Sequence, residues 1–268
     1  MGVELRNMRL RAGMAARQAA VLLGTDQGKI SNIESGRIGI SASRIRRLAG
    51  FYDCEDERLI EALCGIAGEH RGQYWWDEYR GRLPSRFLDL AELEYHAAYL
   101  RSAHTVVVPG LLQTREYARA LFASNLDEAL VEAKIEHRVR RREIFERANP
   151  TPFDVVVHEA ALHMRFGGRA VVQRQLEFLL DASAWPSVAL RVLPFSNERF
   201  IEATHSTLYA GGVVPQLDTV QIDTPLGGVY VDEEAQLSEF ATVLADASAA
   251  SLSEDASRRL VHQRLKEI

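Results

Sequence analysis

The sequence predicts an all-α N-terminal domain of five short helices, followed by an α+β domain with a small sheet and a helical tail. Apolar residues recur at helical spacing between short loops over residues 1–69, whereas short β-branched segments bounded by Pro, Gly or Asp appear from Pro152 onward. A chain of 268 residues is long enough for two domains. We therefore expect an N-terminal domain over 1–70, an aromatic linker over 71–84 and a second domain over 85–268.

The first two helices are predicted from their apolar spacing and from the glycines that follow them. The first spans about 3–12, and the residues that it can offer to a core are Leu5, Met8 and Leu10. The second spans about 15–23, and the residues that we expect it to bury are Ala19, Val21 and either Leu22 or Leu23. Two more helices follow the third helix and complete the domain. They are predicted over about 42–51 and from Asp53 or Glu55 to 69.

The third helix, over about 27–35, is the most informative segment of the chain. Asp26 is placed to accept hydrogen bonds from the free amides of its first turn, and Gly36 can take the left-handed conformation that ends it. Ile30 and Ile33 face inward, and the outward residues are polar. A short polar helix held by two buried isoleucines has the shape that enters the major groove of DNA in helix-turn-helix proteins.

Base-reading and phosphate-binding roles are divided by side-chain chemistry. The candidates for base edges lie on the third helix, where an amide can bond adenine in a bidentate manner: Gln27, Lys29 and Asn32. The candidates for phosphates are Arg17, Ser31 and Arg37. Gly28 offers no side chain to the DNA, so we expect fewer base contacts than the helix length would allow.

The charge is distributed unevenly along the chain. Residues 1–50 hold nine Lys/Arg and three Asp/Glu, a net charge of +6, whereas the whole chain carries −5, so residues 51–268 carry −11. A basic module on an acidic body favours phosphate binding by the first part. A solvated charged face is the alternative interpretation.

The second domain is predicted to begin with helices and to continue with strands. The helices are expected over 86–102, 114–123, 126–147, 168–182, 234–247 and 254–266. The strands are expected over 153–158, 188–193, 206–209, 219–222 and 229–231. The basic run 138–143 is predicted to be an exposed helix face, paired with Glu136, Glu143 and Glu146 at spacings of three and four residues.

Four aromatic residues lie between Gly72 and Gly81: Tyr74, Trp75, Trp76 and Tyr79. Two interpretations stay open, a linker that wedges its aromatic rings between domains and the first helix of the second domain. A base-stacking platform is a weaker third interpretation.

The N-terminal segment resembles the lambda repressor and Cro-like helix-turn-helix domain of the xenobiotic-response-element family of regulators. The matching positions are Arg9, Gly13, Met14, Ala20, Leu23, Gly24, Gln27, Ile30, Ser31, Ile33, Glu34, Gly36 and Arg37. The resemblance implies a structural ion pair between Arg9 and Glu34. It also implies binding to a pseudo-palindromic operator in double-stranded DNA as a homodimer.

The remainder of the chain resembles the C-terminal domain of antitoxin-like transcriptional regulators of actinobacteria. The most specific matching stretch is Val-Pro-Gly-Leu-Leu-Gln-Thr at 108–114. The resemblance implies a small companion protein as a regulatory partner. The candidate residues for binding that partner or a ligand are Pro109, Gly110, Leu111, Leu112, Gln113 and Thr114.

Catalysis and metal binding are not predicted. His158 and His163 are five residues apart, whereas a zinc protease helix needs two histidines four residues apart on one face. The glycine pairs match no phosphate-binding loop, and Cys54 and Cys64 form no zinc pattern. We expect a regulator without enzymatic activity or cofactors, and the lack of an apolar signal or membrane segment predicts a cytoplasmic protein.

Two alternatives to a DNA-reading regulator stay open. The chain could be an antitoxin-like interaction module that neutralises a small companion protein. It could also sense a small molecule bound between the sheet and the turn at 109–114. The simpler interpretation of that turn is that Leu111 and Leu112 fill the core.

Overall fold

The structure is a computed structural model that describes residues 1–68, 74–122, 127–199, 201–203, 205–224 and 227–268. The chain forms two compact units. The first comprises Met1–Tyr74 with Val213–Leu217, and the second comprises Trp75–Gly212 with Asp218–Ile268. The predicted ends of three helices, at residues 69, 123 and 126, and part of the predicted linker lie outside the described residues. Among the described helices, none has the length and apolar character that a membrane span requires.

The first unit contains the five predicted helices, α1 (Gly2–Arg11), α2 (Ala16–Leu23), α3 (Gln27–Glu34), α4 (Ala42–Phe51) and α5 (Glu57–Gly68). Their core includes Leu5, Met8, Ala19, Ala20, Leu23, Ile30, Ile33, Ile45, Leu48, Leu59 and Leu63. The predicted start of α5 at Asp53 or Glu55 was wrong, because the helix begins at Glu57. Asp56 caps it by accepting the amide of Leu59 at 3.0 Å, and Asp53 has a left-handed φ of 50°.

Two apolar residues predicted for this core are instead exposed. Val21 is 73% exposed and Leu10 is 54% exposed; of the two alternatives Leu22 and Leu23, Leu23 is buried and Leu22 is exposed. The exposure of Val21 follows from the phase of α2, which turns Ala19, Ala20 and Leu23 inward, at spacings of one and four residues, so that Val21 and Leu22 face outward.

The second unit is built on one six-stranded mixed sheet with the order β3-β2-β1-β4-β5-β6. The strands are β1 (Tyr99–His104), β2 (Phe153–His158), β3 (Val188–Leu193), β4 (Thr207–Gly211), β5 (Thr219–Thr224) and β6 (Gly227–Val231). Strands β1, β2 and β3 are parallel, and β4, β5 and β6 continue the sheet in antiparallel pairing. The predicted sequence of helices, sheet and helical tail is confirmed.

The helices of this unit are α6 (Ser85–His96), α7 (Arg115–Phe122), α8 (Glu128–Arg140), α9 (Glu159–His163), α10 (Arg169–Ala182), α11 (Glu234–Ala250) and α12 (Glu254–Glu267). Short 3-10 helices span Trp75–Tyr79, Gly110–Leu112, Arg141–Phe145 and Pro215–Leu217, the last in the first unit. The prediction of one helix over 86–102 was wrong because α6 ends at His96 and the chain then enters β1, a central strand that pairs on both sides.

Helices cover both faces of the sheet. Val155 and Val157 of β2 contribute to a core that includes residues of α10 and α12, such as Leu176 and Val261. Val156, between them, belongs to a separate core that includes Leu244 of α11. Successive side chains of a strand point to opposite faces, so β2 contributes side chains to the cores on both faces of the sheet.

The aromatic segment packs within the second unit. Trp76 and Tyr79 are buried, and Trp75 lies with its ring centroid 5.0 Å from that of His137 on α8. The Trp76 ring centroid lies 5.1 Å from that of Tyr95 on α6. These contacts favour the interpretation of a first helical element of the second unit. The buried rings of Trp76 and Tyr79 do not form a surface on which bases could stack.

The basic run 138–143 is not an exposed face, so that prediction was wrong. Arg141 is buried and forms an ion pair with Glu94 on α6, 47 residues away in the chain. Arg142 donates to the carbonyl oxygen of Gln113 at 2.8 Å. Arg140 pairs with Glu143 at 2.9 Å, which is one of the expected local spacings.

Candidate nucleic-acid interface

The turn between α2 and α3 is fixed by a glycine and a capping aspartate. Gly24 has a φ of 70°, which a residue without a Cβ adopts without strain, and the Thr25 amide donates to the Ala20 carbonyl at 2.9 Å. Asp26 accepts the amide of Lys29 through Oδ1 at 2.8 Å. This bond satisfies one of the free amides at the start of α3, so the helix begins at a defined residue.

Helix α3 presents a narrow polar face to solvent. Ile30 and Ile33 are buried to 1–2% exposure and anchor the opposite side. Gln27, Gly28 and Ser31 are exposed, and Gln27 and Ser31 lie one turn apart on the same face. The half-buried side chains of α3, Lys29 and Asn32, lie at the edge of this face. Ser31, predicted to bind phosphate, therefore shares the centre of the face with Gln27.

Arg9 and Glu34 form a two-bond ion pair between α1 and the end of α3. Arg9 Nε donates to Glu34 Oε1 at 2.6 Å, and Nη2 donates to Oε2 at 2.8 Å. A third bond runs from Arg9 Nη1 to the carbonyl oxygen of Met14 at 2.6 Å. The hydrogen bond to Glu34 raises the pKa of Arg9. The pair joins α1, the loop before α2 and the end of α3.

Gly2 provides a second contact between α1 and α3 that the sequence did not indicate. A Cβ built on Gly2 would lie 2.6 Å from the carbonyl oxygens of Ile33 and Glu34. Real Cβ atoms do not approach backbone oxygen so closely, so α1 packs against the end of α3 at a distance that only glycine permits.

The basic side chains of the first unit divide into paired and unpaired groups. Arg9 and Arg11 each bind a carboxylate, of Glu34 and Glu4, and Arg46 pairs with Glu61 at 3.0 Å. Within the described part of the chain, no ion pair is found for the cations that the sequence assigns to DNA, Arg17, Lys29 and Arg37. Arg17 and Arg37 are also exposed. Their charges are therefore available to phosphates.

The two histidines considered for a metal serve the junction between β2 and α9. His158 Nδ1 accepts the amide of Ala160 at 3.1 Å, and His163 lies 3.5 Å from Glu159. No cluster of three or more metal-ligating side chains occurs among the residues that the structure describes.

The turn at 109–114 is part of the core of the second unit. Leu111 and Leu112 are buried in the larger core, and Pro109 precedes their 3-10 helix. Gln113 Nε2 donates to the Val108 carbonyl at 2.6 Å, and the Thr114 amide donates to Gln175 Oε1 at 2.7 Å. Gly110 faces the guanidinium groups of α8 and the helix after it.

Two family models match the chain. One, described as a helix-turn-helix domain, matches residues 1–63. The other, described as a domain of unknown function (DUF5753), matches residues 87–263. No curated protein and no solved structure matches the chain.

Proposed function

The chain belongs to the family of the domain of unknown function (DUF5753) and carries an N-terminal helix-turn-helix domain, and from this premise we propose that it is a sequence-specific transcriptional regulator. Helix α3 reads the major groove through Gln27, Lys29 and Asn32, and Arg17, Ser31 and Arg37 bind phosphates. The observation that carries the proposal is the polar face of α3, held from behind by Ile30 and Ile33.

The positions of the unpaired cations also support the placement of α3 in the major groove. The unpaired Arg17 and Arg37 belong to the helix before α3 and to the loop after it, so both ends of the reading segment carry a cation. Cations at these places position a helix over the groove and contribute affinity that does not depend on sequence.

The remaining parts of the proposal rest on resemblance. We place this chain in the xenobiotic-response-element class and propose a homodimer on a pseudo-palindromic operator, with half-sites about one helical turn apart. The second unit then supplies dimerisation and binds a regulatory partner, for which the similarity to antitoxin-like actinobacterial regulators suggests a small companion protein. We propose no enzymatic role.

The first test is selection of bound duplexes from a random pool by the full chain, followed by gel-shift titration against the selected and scrambled duplexes. We expect paired half-sites. Gln27→Ala and Asn32→Ala should each lose about 1–3 kcal/mol of discrimination. Arg37→Ala should weaken binding to both duplexes alike and reduce the salt dependence.

Matched controls come from exposed positions away from α3. Arg58→Ala on α5 removes an exposed cation, and Gln173→Ala on α10 removes an exposed amide. Both should bind as the unmodified chain does. An equal loss on operator and scrambled duplex for Gln27→Ala would exclude its base-reading role, and failure to enrich any motif would favour the interaction-only alternative.

A further inference from the structure

Two adjoining cavities lie in the second unit, on the side of the sheet that carries α6 and α8. Their volumes are about 110 Å³ and about 230 Å³. They share five lining residues: Leu90, Arg138, Arg141, Gln221 and Asp223. Together they fall just inside the lower end of the range of about 300–1,000 Å³ that is usual for small-molecule pockets.

The two arginines of this pocket are in different electrostatic states. Arg141 Nε donates to Glu94 Oε2 at 2.6 Å, and a second, shorter bond completes a buried bidentate pair. Arg138 has no such carboxylate among the described residues. Its Nη1 donates to the neutral Gln113 Oε1 at 2.7 Å, and its Nε is buried without a hydrogen-bond partner.

Burial imposes a desolvation cost on the guanidinium of Arg138, and the negative charges of Asp223 and Glu94 offset that cost only in part. Desolvation, and then the positive charge of Arg141, lower the pKa of Arg138 to about 9, so the side chain is still charged at neutral pH. A buried cation is usually neutralised by a paired anion. Arg138 lines both cavities, so the compensating anion can come from a ligand that occupies them.

The sheet side of the pocket carries a hydrogen-bond acceptor. Asp223 on β5 lines both cavities, and its Oδ1 accepts from Gln221 Nε2 at 2.8 Å. No ion pair within 4.0 Å joins Asp223 to Arg138 among the described residues. His104 adds a buried ring nitrogen, Nδ1, without a partner, and burial lowers its pKa to about 4, so it is neutral.

Two glycines keep the polar groups close to the pocket. A Cβ on Gly110 would lie 3.3 Å from Arg141 Nη1, and a Cβ on Gly228 would lie 2.8 Å from Gln221 Nε2. A larger residue at either position would displace these side chains. The backbone of the turn at 109–114 therefore belongs to the pocket wall, while Leu111 contributes to the core beneath it.

We propose that this pocket binds a small carboxylic acid that also carries a hydrogen-bond donor, of the amino-acid or hydroxy-acid class. The carboxylate faces Arg138, because a guanidinium binds a carboxylate in a planar, bidentate geometry. The ammonium or hydroxyl group faces Asp223. The site lies within the second unit and does not depend on DNA reading by α3.

The test uses the full chain without DNA. Thermal-shift measurements and isothermal titration calorimetry are made with the L-amino acids, the corresponding 2-hydroxy acids and their amides, which lack the carboxylate. We expect saturable binding of at least one acid and no binding of its amide. Arg138→Gln should weaken that binding about ten- to a hundred-fold, which corresponds to loss of a charged hydrogen bond.

Arg140→Gln is the matched control, because Arg140 lies on the same helix but pairs with Glu78 and Glu143 outside both cavities. It should bind the acid as the unmodified chain does. If Arg138→Gln does not fold, Asp223→Asn provides the second test and should weaken the amino acid more than the hydroxy acid.

Three results with the panel of acids and amides would overturn the proposal. The first is that no acid of the panel binds the folded protein. The second is that a folded Arg138→Gln or Asp223→Asn variant binds the acid as tightly as the unmodified chain does. The third is that the amides bind as tightly as the acids. Binding of inorganic phosphate as tightly as the best acid would also exclude the carboxylate class. Because DNA is absent from these measurements, their outcome is independent of the proposed operator binding.

Discussion

The ion pair between Arg9 and Glu34 gives a quantitative prediction about the stability of the first unit. Both side chains are nearly buried, with exposures of 8% and 9%. Glu34→Met removes two charged hydrogen bonds and leaves the guanidinium of Arg9 buried with only the Met14 carbonyl. Removing one partner of a buried pair costs about 3–5 kcal/mol. We expect about 3 kcal/mol, at the lower end, because the Met14 bond remains.

The double variant Arg9→Met with Glu34→Met tests the reason for that loss. Replacing both charges by apolar side chains of similar length removes the unpaired guanidinium, and such exchanges are often neutral or stabilising. We expect the double variant to recover to within about 1 kcal/mol of the unmodified chain. The difference from the sum of the single losses measures the coupling.

Hydrogen exchange of the full chain, followed by mass spectrometry, is the suitable assay because it reports local opening free energies. Peptides from α1 and α3 should lose protection in Glu34→Met and regain it in the double variant. Peptides from β1, β2 and β3 in the second unit serve as the internal reference. If the double variant were no more protected than Glu34→Met, the destabilisation would not arise from an unpaired buried charge.

Two further predictions concern packing and pH. Gly2→Ala should destabilise α1 by about 1–3 kcal/mol, since its Cβ would meet the backbone oxygens of α3; Gly39→Ala, which meets open space, is the control in the same exchange experiment. Burial lowers the pKa of His137 to about 3, so stability is complete above the unfolded-state value of about 6.5 and falls as the pH decreases toward 3. Urea unfolding followed by tryptophan fluorescence reports this, since all three tryptophans lie in the second unit. His137→Phe should reduce the dependence of stability on pH. An unchanged pH profile in this variant would show that His137 is not the source of the dependence.

The sequence was sufficient for the first unit because its elements are specified locally. Glycines at 24 and 36 and the cap at Asp26 each act within a few residues, and five helices follow from them and from apolar spacing. The inward face was predicted less well. The exposure of Val21 depends on the phase of α2 against its neighbours, which apolar content alone does not determine.

The second unit shows where local patterns are not sufficient. β1 follows α6 after two residues, and its sequence, Tyr-Leu-Arg-Ser-Ala-His, has no β-branched residue that would distinguish a strand from a helix. Its pairing with both β2 and β4 makes this segment a strand, and those strands lie far away in the chain. The same applies to Arg141, because nothing at helical spacing indicates a carboxylate 47 residues earlier. The pocket at Arg138 was therefore not predictable, although the turn at 109–114 was a candidate.

Gly28 has a consequence for the kind of operator that the proposed regulator can recognise. It lies exposed on α3 next to Gln27 and one turn before Asn32, so the base pair opposite it meets only backbone. A position that no side chain reads carries no sequence information through direct contacts, and it has room for the methyl group of thymine or of a methylated cytosine. Each half-site should then show a degenerate column flanked by two informative ones, and the regulator should tolerate drift at that base pair among its genomic targets.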